Sequence, residues 1–192
     1  MREFLFLRHG KTAGNLISNY VGGRTDEPLC AEGIMDLRRS IDQRPELFWA
    51  DRLFVSPMLR CRETAALCFP ALDPVPVEDF RECDFGAFEG RNFHDLEHDP
   101  RYRTWVEGSC AGPIPEGEHP EAFMARCRAA FAPLLTDGAS GRTALVVHGG
   151  TIMAVLSGFA EPERSYFEYH VSNGGGYLCV EEHGRLRVLE EF

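Results

Sequence analysis

Two short apolar runs in this chain end in the same way, and that repetition limits its fold more than any other feature. Phe4-Leu5-Phe6-Leu7 leads into Arg8-His9-Gly10, and Thr143-Ala144-Leu145-Val146-Val147 leads into His148-Gly149-Gly150. Each run is too short for a helix and reads as a buried strand. The glycine after each histidine lets the chain leave its strand sharply and lets a ligand approach the backbone. Ligands of open α/β sheets bind at the carboxyl ends of the strands. Arg8, His9 and His148 are therefore expected together at one sheet edge. One histidine at a strand end is usually a satisfied core residue; two in equivalent places point to a site.

Neutral imidazole is a nucleophile that titrates near neutrality, and a neighbouring guanidinium forks onto phosphate oxygens. Arg8 and His9 together suggest attack on phosphorus inside a cationic cradle. On its own the pair would read as a surface accident, so the rest of the chain must decide. The formal charge of −10 over 192 residues argues against nucleic acid or an anionic membrane as the main partner. An anionic substrate then needs a local cationic pocket in an acidic surface. The length fits one domain, residues 1–192. Only four apolar residues separate Arg2-Glu3 from Arg8, so no leader peptide is expected, and no stretch approaches a membrane span. The seven cysteines are scattered, without C-x-x-C spacing, and the histidines form no H-E-x-x-H pattern. The expectation is reduced thiols in a cytoplasm, with no disulfide framework and no zinc site.

Between these strands the sequence alternates helical and extended patterns. Thr12 to Pro28 reads as a long loop rich in Gly, Asn, Thr and Asp, in which Thr12 and Asn15 offer donors and Arg24 adds a cation. Ile34, Leu37 and Ile41 have helical spacing, and Pro45 ends that helix. Asp51 to Val55 reads as a strand. Ser56 then suits an N-cap and Pro57 a first helical position, which puts Arg60 near a helix start at the sheet edge. Val75 to Glu78 is a third short strand, followed by Glu82, Asp84 and Glu89 among aromatics and glycines. A carboxyl there would be desolvated and its pKa raised, as a general acid at neutral pH requires. Phe93 to Val106 suggests short helices over the pocket, broken at Asp99-Pro100, and Gly108 to Pro120 a loop. Together they make a cap insertion at about 88–120. Glu121 to Leu135 is an amphipathic helix, and a hairpin pairs Tyr177–Val180 with Arg185–Leu189. The apolar end at Leu189 and Phe192 fits packing on the same domain or on a second copy in a homodimer.

Five motifs now stand in order: Leu7-Arg8-His9-Gly10-x-Thr12-x-x-Asn15, Gly23-Arg24-Thr25-Asp26-x-Pro28-Leu29, Ser56-x-x-x-Arg60-x-x-x-Thr64-Ala65, Glu82-x-x-Phe85-Gly86-x-x-Glu89-Gly90 and Val147-His148-Gly149-Gly150. The chain resembles the histidine phosphatases of the phosphoglycerate mutase-like superfamily over essentially its whole length. The resemblance implies an α/β fold, a three-layer α/β/α sandwich with a mostly parallel central sheet and an inserted helical cap. It implies His9 as the nucleophile, Arg8, Arg60 and His148 as phosphoryl ligands, and Glu82 as proton donor and then base. It implies Asn15, Thr12, Gly23, Arg24 and Gly149 as further substrate contacts, with His148 protonated beside a dianionic phosphate. No metal and no cofactor are implied, because the arginines fill the place of a cation. Lys11 departs from the acidic residue usual at its position and adds charge near the mouth.

Three functions follow from the resemblance. The first is a phosphomonoesterase acting on a small phosphate ester. Asp84-Phe85-Gly86-x-x-Glu89-Gly90-Arg91, with Asp95 and Trp105, looks most like α-ribazole phosphatases. The second is a cofactor-dependent phosphoglycerate mutase, although true mutases carry a larger insertion and more basic residues. The third is a binding protein on an inactive version of the fold, although both histidines, Arg8, Arg60 and Glu82 are all present.

Overall fold

The structure, a computed structural model, describes residues 2–192. Its centre is a seven-stranded sheet made of β1 (Arg2–Arg8), β2 (Arg52–Val55), β3 (Val75–Pro76), β4 (Gly141–Val147), β5 (Ala160–Glu161), β6 (Gly176–Glu182) and β7 (Arg185–Glu191). The strand order is β3-β2-β4-β1-β6-β7-β5. β1, β4, β2 and β3 are parallel, β6 runs antiparallel to β1, and β7 closes a hairpin with β6. The sheet is therefore mixed and mostly parallel, as the sequence leads one to expect.

Helices cover both faces, so β1 and β4 are apolar along their length rather than alternating with polar residues. Phe4 and Phe6 enter one core with Leu145 and Val147, while Leu5 and Leu7 enter the other with Ala144 and Val146. The Leu5 face packs on α2 (Ala31–Gln43) and α3 (Leu59–Cys68) through Leu37, Cys61 and Ala65. The Phe4 face packs on α6 (Pro120–Thr136) and α7 (Gly149–Phe159) through Phe123, Phe131, Ile152 and Val155. Phe192 packs against the Leu5 core of its own chain, and Leu189 is exposed. In the hairpin turn His183 and Gly184 both have positive φ, at 54° and 78°, the geometry that suits the twist of paired strands.

Some local expectations need correction. The Thr12–Pro28 segment is not all loop: α1 (Ala13–Leu16) is one helical turn, with Thr12 as N-cap in a reciprocal pair with Asn15. Ser56 and Pro57 do not open α3. Its N-cap is Met58, which makes no side-chain cap bond; the Ser56 hydroxyl lies 2.7 Å from His148 Nε2 and accepts only a long 3.5 Å bond from the Met58 amide. The third strand is only two residues long and gives way to a 3-10 turn at Glu78–Phe80. Lys11 does not add free charge at the mouth, since its ammonium meets Glu32 Oε1 at 2.6 Å and Asp36 Oδ2 at 2.9 Å on α2.

The segment expected to cap the sheet edge holds α4 (Phe93–Leu96) and α5 (Pro100–Glu107). Asp99 caps α5 and Pro100 sits in its first turn, as the break at Asp99-Pro100 suggests. Tyr102 and Trp105 of α5 stack with Tyr20 and Phe88, and the Tyr20 and Tyr102 hydroxyls are 2.9 Å apart. No helix among the described residues is long and apolar enough to cross a membrane.

Phe131 is fully buried, with its ring 5.3 Å from Phe4, 5.5 Å from Phe6 and 5.3 Å from Phe159. Truncating such a ring removes its transfer free energy and leaves a cavity. Phe131→Ala is expected to lose about 3–5 kcal/mol in urea unfolding. A loss below about 1 kcal/mol would mean that this core relaxes around the gap.

Candidate active site

The parallel register aligns Arg8 of β1 with Val147 of β4, and the His9 amide donates to Val147 O at 3.0 Å. The two histidines thus leave neighbouring strands side by side, with ring centroids 5.2 Å apart at 68°. His9 is 3 % exposed and His148 is fully buried.

The tautomer of His9 follows from its partners. Nδ1 lies 2.8 Å from Gly10 O. A carbonyl only accepts, so Nδ1 carries the hydrogen and Nε2 keeps its lone pair. Nε2 receives the Arg60 Nε–H at 3.2 Å, a geometry consistent with a neutral ring. Burial, then the charges of Arg60 and Arg8, push the His9 pKa well below its ordinary value. Nε2 is thereby kept unprotonated, facing Arg60.

Arg60 is 0 % exposed. Its guanidinium donates to Thr25 O at 2.7 Å, Val21 O at 3.3 Å and Gly22 O at 3.1 Å, as well as to His9. Arg8 donates to Val171 O at 2.6 Å, and its Nε is buried without a partner. Among the described residues no carboxylate bonds either guanidinium. Buried cations are normally paired, since leaving one unpaired costs several kcal/mol. Arg8 and His9 make the floor of the cavity described below, while the fully buried Arg60 is hydrogen-bonded to His9 and does not itself line that cavity.

His148 Nε2 lies 2.7 Å from Ser56 Oγ and 3.5 Å from Cys61 Sγ. Burial, Arg60, His9 and Arg8 all lower its pKa well below the ordinary value, so without ligand it is neutral. The protonated His148 implied by the resemblance therefore requires the charge of a bound dianion. His148 is also the N-cap residue of α7, whose first amides point into the site. Gly149 lies against Arg8: a Cβ there would come 3.3 Å from the guanidinium carbon.

Glu82 stands opposite. Its Oε1 accepts from Cys83 N at 2.9 Å and its Oε2 from Gly150 N at 3.1 Å. A Cβ on Gly150 would come 2.3 Å from Oε1, so only glycine leaves the carboxyl this position. Burial raises the Glu82 pKa despite those two amides and the charges of Arg60 and Arg8. That shift toward the protonated form is what a proton donor near neutral pH needs.

The remaining expected residues separate into two groups. Asn15 lines the cavity with Arg8, His9, Glu82 and Gly149. Its Oδ1 is taken by Thr12 and by Asn173 Nδ2 at 3.2 Å, which leaves its amide hydrogens for an acceptor. Thr12, Gly23 and Arg24 do not line this cavity. The Thr12 hydroxyl donates to Asn15 at 3.0 Å and caps α1. The Gly23 amide donates to Cys83 O at 2.9 Å. Arg24 turns away to Asp84, with Nε 2.8 Å from Oδ1, and to Glu116 O. Residues given no site role by the sequence also shape the site, among them Thr64 and Glu89, which stand in the motifs, and Asn173, which does not. Asn173 Nδ2 holds His9 O at 3.1 Å, and Thr64 Oγ1 accepts from Gly10 N at 3.0 Å. Glu89 gathers Gly22 N, Phe85 N and Thr25 Oγ1, which fixes the loop whose carbonyls hold Arg60.

Above the floor the cavity measures about 530 Å³. Tyr20, Phe85, Trp105, Phe123, Met153 and Phe167 are among the residues forming its wall. The cationic or titratable nitrogens that line it belong to Arg8, His9 and His170. Among the described residues no group of three or more His, Cys, Asp or Glu is placed to hold a metal ion.

The family model described as "Histidine phosphatase superfamily (branch 1)" matches residues 4–191. "Probable phosphoglycerate mutase GpmB" of Enterobacter sp. (strain 638) is 30% identical over 165 residues, covering 82% of this chain and 74% of that protein. The α-ribazole phosphatase of Shigella flexneri has a solved structure similar to this one, with a TM-score of 0.84 and 25% identity, over 97% of this chain and 95% of that one. TTHB049 from Thermus thermophilus has a TM-score of 0.72 and 33% identity, over 99% and 98% of the two chains. The paired strand-end histidines, the half-buried Arg8 and buried Arg60 beside them, and a family match running from the first strand to the last lead to one conclusion: this chain belongs to the histidine phosphatase superfamily.

Proposed function

We propose that the protein is a phosphomonoesterase that hydrolyses a small phosphate ester through a phosphohistidine on His9, with arginines rather than a metal carrying the charge. The observation that supports this most is the state of His9. Its Nδ1 hydrogen is fixed on Gly10 O, its Nε2 carries no proton and meets only the long 3.2 Å contact from Arg60 Nε, which an incoming phosphoryl group would displace, and Arg8 and Arg60 stand beside it without carboxylate partners. Nε2 attacks phosphorus, a P–N bond forms, and the ester P–O bond breaks. Glu82 gives its proton to the leaving oxygen. Glu82, now a carboxylate, takes a proton from water, whose oxygen attacks phosphorus and breaks the P–N bond. Inorganic phosphate leaves, and both side chains return to their starting states. Arg8, Arg60, His148 and the Gly149 amide hold the phosphoryl oxygens throughout, where preformed donors stabilise developing charge without reorganising.

The leaving group is uncharged and largely apolar in this reading, because the cavity above the floor is walled by aromatic rings and methionines. α-Ribazole 5′-phosphate, with its aromatic base, fits that description, and the likeness to the Shigella flexneri enzyme supports it as a candidate. The name of the Enterobacter relative favours a mutase instead. A phosphoglycerate carries a carboxylate, however, and beyond Arg8 and His9 the one side chain of the cavity lining that could carry a positive charge is the exposed His170. Water as the final acceptor is therefore the better-supported reading.

His9→Ala is expected to abolish both phosphate release and an acid-labile phosphoenzyme trapped by rapid quench; full activity in this variant would overturn the proposal. Arg60→Ala is expected to lower kcat/KM about 10²–10³-fold, by comparison with loss of an oxyanion donor. A change below about tenfold in steady-state kinetics would count against its role.

The pH profile follows from the two shifts. His9 acts unprotonated and its pKa is lowered, so the acid limb of kcat/KM for an alkyl ester lies well below the ordinary histidine value. Glu82 acts protonated and its pKa is raised, so activity persists above the ordinary carboxylate value and falls as pH rises through the Glu82 pKa. In Glu82→Gln the alkaline limb due to Glu82 is expected to vanish and the rate to fall. An alkaline limb unchanged in that variant would assign it to another group.

A further inference from the structure

The proton donor hangs on a main chain that one side chain grips, and no sequence motif marks that side chain. Arg126, on α6, forks onto Glu118, with Nε 2.7 Å from Oε1 and Nη2 2.8 Å from Oε2. Its other hydrogens go to three carbonyls: Asp79 O at 2.7 Å, Arg81 O at 2.8 Å and Glu82 O at 3.2 Å. The segment carrying Glu82 has little regular structure of its own, being a 3-10 turn at Glu78–Phe80 followed by irregular chain. Arg126 supplies donors that a strand or helix would otherwise supply there. The guanidinium also lies over the Phe123 ring, 4.9 Å from its centroid, and Phe123 lines the cavity. Glu118 is tied back to the same loop, its amide donating to Asp84 O at 2.9 Å.

We infer that Arg126, braced by Glu118, is a positioning residue for the proton transfer by Glu82. It touches neither the phosphate floor nor the leaving-group cavity. It sets where the Glu82 carboxyl stands relative to the leaving oxygen. A shift of about 1 Å in such a group costs as much as a hundredfold in rate. A planar fork is needed because five donors must reach a carboxylate and three carbonyls at once; an ammonium offers three. This inference rests on the reading of Glu82 as general acid.

The test compares two esters that bear a similar ring. 2-Phenylethyl phosphate leaves as an alkoxide and needs the proton. p-Nitrophenyl phosphate leaves as a stabilised phenolate and does not. kcat/KM reports formation of phosphohistidine only, so it isolates the proton-donating step. For Arg126→Lys, kcat/KM on 2-phenylethyl phosphate is expected to fall about tenfold or more, part of the 10²–10⁴ typical of a general acid. On p-nitrophenyl phosphate it is expected to stay within about twofold of wild type, and a burst of nitrophenolate is expected because slowed water attack lets phosphohistidine accumulate. Glu118→Gln weakens the brace from the other side and is expected to give the same pattern at smaller size, so the inference does not hang on one variant folding. Equal losses on both esters in Arg126→Lys and Glu118→Gln would overturn it, because a purely structural role lowers both alike. Glu82→Gln is measured beside them. If its losses too are equal on the two esters, the general-acid reading fails and the positioning role fails with it; if they are unequal, only the role of Arg126 is at stake.

Discussion

The register between β1 and β4 is the constraint on which the site depends. Because Arg8 pairs with Val147, His9 and His148 emerge at the same height from adjacent strands. A slip of one residue would turn Phe4 and Phe6 toward the core built for Leu5 and Leu7, and every other side chain with them. The register is locked because the two faces are filled by different partners: aromatic rings of α6 on one, the smaller residues of α2 and α3 on the other. Placement of His9 is thus decided by packing that lies mostly outside the cavity, with Phe123 shared between the two.

From that edge the site is assembled by long-range bonds. Arg60 comes from α3, but its direction is set by carbonyls of the 21–25 loop, which Glu89 in turn arranges. Glu82 comes from irregular chain and is aimed by the amide of Gly150 on α7. Opposed demands on titration are met by one environment. Burial and nearby cations lower the pKa of both histidines, while burial raises that of Glu82 despite the same cations. Sites that need an acid and a base at one pH are built by pushing such values apart.

What can be read from sequence is what local pattern controls. The apolar runs of β1 and β4, the helical spacing of Ile34, Leu37 and Ile41, and Pro100 after Asp99 each carry their structure within a few residues. The placement of Arg8, His9 and His148 at one edge follows from strand ends. Ser56 misleads because a hydroxyl before a helix suits a cap and a histidine partner equally well, and the partner lies 92 residues away. Thr12, Gly23 and Arg24 stand in motifs that locate them near the site, but their directions depend on Asn15, Cys83 and Asp84. Arg126 is invisible in sequence because its partners are mostly main-chain carbonyls, which no side-chain pattern encodes. The apolar wall is equally hidden because Tyr20, Trp105, Phe123, Met153 and Phe167 come from five separate segments.

The arginines without carboxylate partners have a thermodynamic corollary. Folding removes Arg60 from water without giving it a counter-ion, so part of the cost is left for a ligand to relieve. Any dianion that binds only the folded state adds RT ln(1 + [L]/Kd) to its stability. Under the proposed reaction its product, inorganic phosphate, would be such an ion. The same attraction that organises the reacting group therefore makes product release compete with product retention. Unfolding temperature and turnover become linked through one variable, the free phosphate concentration: raising it steadies the fold while it occupies the site.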